Sequence, residues 1–322
     1  KYALAVTSGT AAIKIALKAL NIKPGDEVIT QAFNFIATIE AIVDVGAKPV
    51  LVNVDKTLNM DIEDLKNKIT KKTKVVLPVH MLGYPCDMKN IKKICKKKNI
   101  KILEDNCESI GGKYENKFLG NIGDIGILSL DFGKTITTGE GGMILTNNAK
   151  FYNYCKEYHD HGHKNLKNLS RGNDKVSIAG FNYRMTELQG AIGKVQLEKL
   201  NSLLKDNQKK YMIIKNNIKN FEHRLMTVNG KSNFDNFIFY VKNKYQKKNV
   251  LKVMKKYRIG TKNLPDAIKW HCAFYWKHIF NKKDLKKIQE TKKILDYAIA
   301  IPIFFKKNIS FYKKLSFEIN NV

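Results

Sequence analysis

The chain has 322 residues, of which 43% are hydrophobic and 10% are aromatic. This length and apolar content suit one large and one smaller folded domain, and they exclude a disordered chain. A formal charge of +29, from 58 Lys and Arg against 29 Asp and Glu, suggests a nucleic acid or a membrane surface as partner. The lysines are spread along amphipathic helical stretches, however, so we expect no nucleic acid and no membrane partner.

The cysteines are scattered and form no CxxC pair, so they predict neither a disulfide framework nor a zinc site. Free thiols are typical of a reducing compartment. No apolar run approaches the roughly 18 residues of a membrane helix, and we recognise no signal peptide. We therefore expect a soluble, cytoplasmic protein. Because Lys1 stands at the start of a strand-like segment, we also expect that the natural N-terminal segment is missing.

Short apolar strands alternate with helices through the first part of the chain. The predicted strands are Tyr2–Val6, Glu27–Thr30, Val50–Val54, Val75–Pro78 and Lys101–Glu104. This alternation predicts an α/β fold with a mostly parallel, doubly wound sheet. Ligands of such sheets bind beyond the carboxyl ends of the strands. The residues at those ends are Ser8, Phe35, His80 and Asp105.

Lys134 lies in a short turn between two predicted strands, Ile125–Leu130 and Gly142–Thr146, and a cluster of glycines follows it. A lysine that is withdrawn from water in such a turn can have a lowered pKa and attack a carbonyl as the free amine. An ordinary surface turn is the alternative. The other candidate residues in the chain favour the reactive lysine.

Two further segments carry groups that a reactive lysine would need. The turn Ser8-Gly9-Thr10 precedes a helix, so its N–H groups and hydroxyls form an anion site, or Ser8 is simply the helix N-cap. Asp105 ends a strand, where it is either a cap or a partner that keeps a pyridine nitrogen protonated. A carboxylate, a lysine, an anion-binding turn and the aromatic Phe35 are the parts of a pyridoxal phosphate site.

Five motifs follow one another along the chain. They are SGTAA at Ser8–Ala12, FNFIAT at Phe33–Thr38, LEDN at Leu103–Asn106, the run Ser129–Gly142, and GFNYRMTELQGAIG at Gly180–Gly193. With these motifs in this order the chain resembles the DegT/DnrJ/EryC1/StrS family of pyridoxal-phosphate-dependent sugar aminotransferases. The resemblance implies the transferase fold type I, with a large domain in residues 1–205 and a smaller C-terminal α/β domain in residues 206–322.

The resemblance also implies roles for the residues around the cofactor ring. Lys134 would carry pyridoxal phosphate covalently and then move the proton as general base and acid, and for this work we expect its pKa to be pulled toward neutrality. Asp105 would face the pyridine nitrogen, and Phe35 would stack on the ring. Glu108 would lie near O3′, where many members have Gln. Asp131 stands where His is frequent.

The phosphate of the cofactor would be held at the turn before the first helix, by Ser8, Gly9, Thr10 and Ser129. Asn182 corresponds to the residue that, in the family, reaches the phosphate from the neighbouring subunit. The resemblance therefore implies a homodimer whose active sites are shared between the subunits. Outside the family match, Asn182 would be assigned to an ordinary loop.

The loop around His159–His163 and the segment after it fall where members of the family contact the sugar. The candidate substrate contacts are His161, His163, Arg171 and Arg184. Three histidines on a glycine-containing loop are more typical of a substrate or structural loop than of a metal site, so we expect no metal. The aromatic segment Trp270–Trp276 is either part of the small-domain core or a wall over the sugar.

The predicted reaction moves an amino group from an amino acid, L-glutamate by resemblance, to a keto- or aldehydo-sugar in cell-surface polysaccharide or amino-sugar biosynthesis. Lys134 disfavours the dehydratase branch of the family, which has histidine there. A narrower hypothesis is amination of the 8-aldehyde of a 3-deoxy-octulosonate, a free sugar acid whose carboxylate Arg171 would bind. A nucleic-acid-binding regulatory protein with the same fold is the rival of another class.

Overall fold

The computed structural model describes residues 1–322. Its strands are β1 (Tyr2–Val6), β2 (Glu27–Gln31), β3 (Lys48–Val52), β4 (Thr73–Leu77), β5 (Lys101–Asp105), β6 (Lys113–Tyr114), β7 (Lys117–Phe118), β8 (Ile125–Ser129), β9 (Gly142–Thr146), β10 (Glu222–His223), β11 (Gly230–Lys231), β12 (Asn236–Tyr240) and β13 (Ala298–Pro302). Its helices are α1 (Gly9–Ala19), α2 (Ile36–Asp44), α3 (Ile62–Lys68), α4 (Met88–Lys98), α5 (Ala149–Tyr158), α6 (Glu187–Asn217), α7 (Lys244–Lys256), α8 (Ile268–His271), α9 (Lys282–Lys286), α10 (Gln289–Asp296) and α11 (Ile309–Asn320). None of these helices is both long and apolar enough to cross a membrane.

The largest sheet has seven strands in the order β1-β9-β8-β5-β4-β2-β3. The five strands β8, β5, β4, β2 and β3 pair in parallel, with β3 at the edge, and β9 runs antiparallel to both β8 and β1. Helix α2 connects β2 to its neighbour β3 and α4 connects β4 to its neighbour β5, because parallel neighbours cannot be joined by a tight turn. The prediction of an α/β fold with a mostly parallel sheet is therefore confirmed.

Both faces of this sheet are buried, as a doubly wound sheet requires. Neighbouring residues of one strand point to opposite faces, so Val28 and Val75 belong to one apolar cluster and Ile29 and Val76 to another. All four side chains are fully buried. The sheet therefore forms a rigid layer, and its carboxyl edge carries the residues of the cleft described below.

A smaller antiparallel sheet, in the order β10-β12-β13, forms near the C-terminus. The second half of α6 packs on it through the buried Tyr211 and Ile214, together with Tyr312 of α11. Helix α6 is 31 residues long and runs without a break through the predicted boundary between residues 205 and 206. The division into domains at this point stays a prediction.

The aromatic segment Trp270–Trp276 packs differently from the small-domain core that was one expectation. Cys272, Ala273 and Trp276 belong to the same apolar cluster as the large sheet, because the segment lies against the end of β2. The Ala273 N–H donates to the Ala32 carbonyl at 2.8 Å, and the Asn34 N–H donates to the His271 carbonyl at 3.0 Å. This pairing carries C-terminal residues to the carboxyl edge of the large sheet.

Candidate active site

A cleft of about 500 Å³ lies at the carboxyl ends of β5 and β8, beside the N-terminus of α1. The structure brings most of the predicted cofactor residues together there: Ser8, Gly9, Thr10, Phe35, Asp105, Glu108, Ser129 and Lys134. Asn182 does not line the cleft of its own chain. These residues are far apart in the sequence and meet because parallel strands end at the same edge of the sheet.

The turn before α1 presents the first free N–H groups of the helix to the cleft. Ser8 is the N-cap, and its Oγ accepts a hydrogen bond from the Ala11 N–H at 3.1 Å. A Cβ atom at Gly9 would lie 3.0 Å from both the Cys107 Sγ and the Ser129 Cβ, so a side chain there would crowd the turn. Ser8 can therefore cap the helix while the same turn binds an anion. We call the turn Ser8-Gly9-Thr10 the anion cradle, and it fits a phosphate group.

Asp105 ends β5 and is almost fully buried. Its Oδ2 accepts a hydrogen bond from the Thr38 hydroxyl at 2.9 Å, and its Oδ1 accepts one from the Cys107 N–H at 3.1 Å. These two donors fix the carboxylate in one orientation at the wall of the cleft. Thr38 was not identified as a site residue from the sequence, although it ends the FNFIAT motif.

Lys134 follows β8 in a tight turn that Asp131 organises. The Asp131 carbonyl accepts from the Lys134 N–H at 3.1 Å, and its side chain accepts from the Gly133 N–H at 3.0 Å. The Lys134 side chain is 20% exposed and its Nζ lies 3.8 Å from the Glu108 Oε1. The lysine therefore enters a largely buried site beside a carboxylate and is not a surface residue.

The expectation of a lowered pKa for Lys134 is wrong for this arrangement. Burial is the largest single influence and favours the neutral amine, but the negative charges of Glu108, Asp105 and Asp131 together raise the pKa of Lys134 above its ordinary value. The lysine is thus held as an ammonium ion by its neighbours.

Glu108 joins the lysine to the C-terminal part of the chain. Its Oε2 accepts from the Leu82 N–H at 3.1 Å and its Oε1 accepts from the Asn263 side chain at 3.2 Å, while the His271 Nε2 lies 3.8 Å away. Burial alone would raise the pKa of Glu108, but the positive charges of Lys134 and Lys262 and the hydrogen bond from the Leu82 N–H lower it. Glu108 is therefore a fixed anion at the centre of the cleft.

Several cleft residues come from the C-terminal third and were missed from the sequence: Asp235, Lys262, Asn263 and His271. Phe35 and His271 have ring centroids 5.2 Å apart at an angle of 44°. The segment Trp270–Trp276 thus contributes both a core residue and a wall residue. In the sequence this segment was recognised by its aromatic content, which does not distinguish a core residue from a residue of the cleft wall.

His80 lies at the edge of the sheet but is fully buried beneath the cleft. Its Nδ1 accepts from the Cys86 N–H at 3.0 Å, so its Nε2, which is 3.1 Å from the Glu104 Oε2, is the donor to that carboxylate. Glu104 also accepts from the N–H groups of Gly120, Ile122 and Gly123. The pair of His80 and Glu104 lies beneath the carboxyl edge of the large sheet and does not line the cleft.

The candidate substrate residues lie outside the cleft of their own chain. Arg171 and Arg184 both donate to Asp160, Arg184 at 2.6 Å. Asp160 also pairs with Asn182 in an isolated bridge, and the His163 Nδ1 lies 3.7 Å from the Asp174 Oδ2. His161 lies in the same loop, in the left-handed region with φ of 53°. A contact of these side chains with the sugar stays a prediction.

Solved structures with similar folds are aminotransferases and related enzymes. The X-ray structure of the aminotransferase from Psychrobacter cryohalolentis matches with a TM-score of 0.90 and 26% identity, over 100% of this chain and 87% of that one. The Escherichia coli GDP-4-keto-6-deoxy-D-mannose-3-dehydratase with bound hydrated pyridoxal phosphate matches with a TM-score of 0.84 and 27% identity, over 99% and 87% of the two chains. The fold is thus that of the pyridoxal-phosphate-dependent aminotransferases.

The family model of the DegT/DnrJ/EryC1/StrS aminotransferase family matches residues 1–308, and the chain belongs to this family. A GDP-perosamine synthase of Escherichia coli O157:H7 is 40% identical over 222 residues, which are 68% of this chain and 59% of that relative. The aligned part thus spans less than two thirds of this relative. Pyridoxal phosphate is the cofactor that the family and these structures indicate, and the cleft offers a phosphate cradle, a buried carboxylate and a lysine for it.

The raised pKa of Lys134 depends on Glu108, and this can be tested in the cofactor-free protein. In Glu108→Gln the nearest negative charge is lost while burial remains, so the pKa of Lys134 should fall. The measurement is the pH dependence of Lys134 acylation, followed by peptide mass mapping. Glu140→Gln, which also changes a carboxylate of the cleft, should leave the pKa of Lys134 unchanged. An identical pKa in Glu108→Gln and the unchanged protein would contradict this electrostatic account.

Proposed function

We propose that the protein is a pyridoxal-phosphate-dependent aminotransferase, which moves an amino group from an amino acid, expected to be L-glutamate, to a keto- or aldehydo-sugar. The observation that carries the proposal is the arrangement of Lys134, Asp105 and the N-terminus of α1 in one cleft. An amine, a buried carboxylate and an anion cradle meet there, and family membership supports this assignment.

The residues of the cleft divide the work among them. When bound, pyridoxal phosphate supplies a carbonyl that takes up an amino group and a ring that withdraws electrons from the reacting carbon. Ser8, Gly9, Thr10 and Ser129 would bind its phosphate, and Phe35 would cover the ring face. Asp105, which Thr38 and the Cys107 N–H hold in place, would keep a proton on the ring nitrogen.

Lys134 would bind the cofactor through its Nζ and, once released, would hold and return the proton that moves during amine transfer. Because its neighbours favour the ammonium form, the lysine is prepared to donate a proton and must first lose one to act as a base. Glu108, 3.8 Å from the Lys134 Nζ, stabilises the protonated form. The Lys134 side chain is 20% exposed and lines the cleft, where a substrate can contact it.

The acceptor that we favour is a nucleotide-linked keto sugar, since the relative with 40% identity is named GDP-perosamine synthase. A free sugar acid of the octulosonate type is the second candidate. One observation supports this second candidate. The cations of the cleft are Lys134 and Lys262, and the lining includes no arginine to bind the diphosphate of a nucleotide-linked sugar. Arg171 and Arg184 are both paired with Asp160 outside the cleft of their own chain.

Amine transfer is tested by running the reaction backward. The cofactor-loaded protein should form L-glutamate from 2-oxoglutarate and an amino sugar, with a change in the absorbance of the cofactor. The panel should contain nucleotide-linked 4-amino and 3-amino hexoses and an 8-amino-octulosonate. Lys134→Ala should lower the rate by about a thousandfold or more, because both the attachment and the proton transfer lose their amine. The exposed Lys150→Ala serves as the matched control and should retain the rate.

The acceptor that reacts decides between the two candidates. Turnover of the octulosonate alone would reverse our ranking of the acceptors. If none of the amino sugars reacts although the cofactor is correctly bound, the aminotransferase proposal itself is contradicted.

We also propose that the protein works as a homodimer with shared active sites. The first half of α6 carries a stripe of apolar side chains that its own chain leaves about half exposed or more. The exposed fractions are 79% for Leu188, 49% for Ile192 and 48% for Val195, which lie on one face of the helix at i, i+4 and i+7. A contiguous apolar helix face of this kind supports a protein interface. Asn182 lies on the loop that leads into this helix, and across such an interface it would reach the phosphate of the neighbouring chain.

Complementation between two inactive variants tests the shared site. Lys134→Ala and Asn182→Ala should each be inactive alone. After subunit exchange, mixed dimers contain one site with both native residues, so about a quarter of the activity should return in a two-fold symmetric dimer. A mixture of Lys134→Ala and Asp105→Asn is the control, because both residues belong to the same chain's site and no activity should return. Activity in Asn182→Ala alone, or no recovery in its mixture, would contradict the shared site.

A further inference from the structure

Negative side chains outnumber positive ones in the cleft. The lysines that line it are Lys134 and Lys262. The carboxylates that line it are Asp105, Glu108, Asp131, Glu140 and Asp235. An amino-acid donor, its 2-oxo acid product and a sugar acid all carry a carboxylate, which is costly to withdraw from water without a cationic partner. Because Lys134 is required for the chemistry, Lys262 is the remaining lysine for this purpose.

The backbone around Lys262 is held rigidly against the small sheet. The Lys262 N–H donates to the Ala300 carbonyl at 3.0 Å, and the Ala300 N–H donates to the Leu264 carbonyl at 3.0 Å. Between these two bonds, the Asn263 side chain donates to the Glu108 Oε1 at 3.2 Å. The segment is thus anchored on one side to β13 and on the other to the centre of the cleft, so the backbone position of Lys262 is well defined.

The ammonium group of Lys262 lies where a substrate can reach it. The Lys262 side chain is 22% exposed, and the residue lines both the cleft and an adjoining cavity of about 480 Å³. Gly133 and Thr135, on either side of Lys134, also line both spaces. A molecule bound at Lys134 can therefore extend toward Lys262 through these two adjoining spaces.

Asp235 is the present partner of the Lys262 ammonium. Its side chain is 8% exposed, forms an ion pair with Lys262, and accepts from the Asn236 side chain at 2.5 Å. A single carboxylate satisfies only part of the hydrogen-bonding capacity of an ammonium group, which has three donors. The ammonium can therefore accept a second carboxylate from the cleft, although Asp235 competes for it.

We propose that Lys262 binds the carboxylate of a substrate and that Asp235 holds its ammonium in place at the cleft and weakens this binding by competition. The inference rests on the proposed aminotransferase function, because it concerns the substrates of that reaction. The carboxylate belongs either to the amino-acid donor and its 2-oxo acid or to a sugar acid acceptor. Both have the same chemistry, and the experiment separates them.

Calorimetric titration of the cofactor-loaded protein tests the proposal without turnover. The probes are glutarate, an unreactive analogue of the donor, and 3-deoxy-octulosonate, a sugar acid. Lys262→Met should weaken the binding of at least one of them by about tenfold or more, because a charge-assisted pair is lost. Lys262→Arg should restore most of the affinity. Asp235→Asn should tighten the binding of the same acid, because the competing anion is removed.

Lys269→Met is the matched control, since Lys269 is an exposed lysine of the same segment that does not line the cleft. Its affinities should equal those of the unchanged protein. Cofactor absorbance and thermal unfolding establish that each variant is folded and loaded. The acid that responds to Lys262→Met identifies the source of the carboxylate. Equal affinities in Lys262→Met and Lys269→Met, or no binding of either acid by the unchanged protein, would overturn the proposal. Because no turnover is needed, a failure of amine transfer would leave this result intact.

Discussion

Gly142 in β9 lies so close to the turn before α1 that a Cβ atom there would come 2.3 Å from the Ser8 carbonyl oxygen. Any other residue would force the two backbones apart, at a cost of about 1–3 kcal/mol or more. This contact fixes the anion cradle against the hairpin that carries Lys134. The turn proposed to bind the phosphate and the Lys134 side chain therefore have a defined separation, on which the geometry of the cleft depends.

Charge is the second organising feature of the cleft. Glu108 is a buried anion that contacts Lys134 and accepts from Asn263, so it links the lysine of the large sheet with the C-terminal segment. Lys262 and Asp235 form a second pair farther along the same wall. The two lysines thus pair with different carboxylates, Lys134 with Glu108 and Lys262 with Asp235. In our proposals, one serves the chemistry and the other binds a substrate carboxylate.

Much of the fold was predictable because its signals are local. Alternating apolar strands and helices indicated the parallel sheet, and the strand ends indicated which residues meet. Ser8 and Asp105 could be placed at one edge by this argument alone. The family motifs then added Glu108 and Ser129, whose types alone carry no such information. The predicted domain boundary between residues 205 and 206 falls inside helix α6, which continues to Asn217, because the sequence shows no helix breaker at that point.

The unpredicted features depend on contacts between distant segments. The pKa of Lys134 is raised because Glu108 and Asp105 approach it in space, whereas sequence reasoning considered burial alone. Lys262 and His271 reach the cleft because the C-terminal segment pairs with the end of β2 and with β13. No spacing rule connects these residues with Lys134. Similarly, the pairing of Arg171 and Arg184 with Asp160 could not be inferred from their types.

The central claim is that Lys134 is the lysine that carries the cofactor. It is tested most directly by borohydride reduction of the protein loaded with pyridoxal phosphate, followed by peptide mass mapping. Reduction makes the attachment permanent, so the label marks the lysine that held the cofactor. We expect one label per chain, on Lys134, despite the many exposed lysines. A label on another lysine, or none although the cofactor is present, would contradict the account.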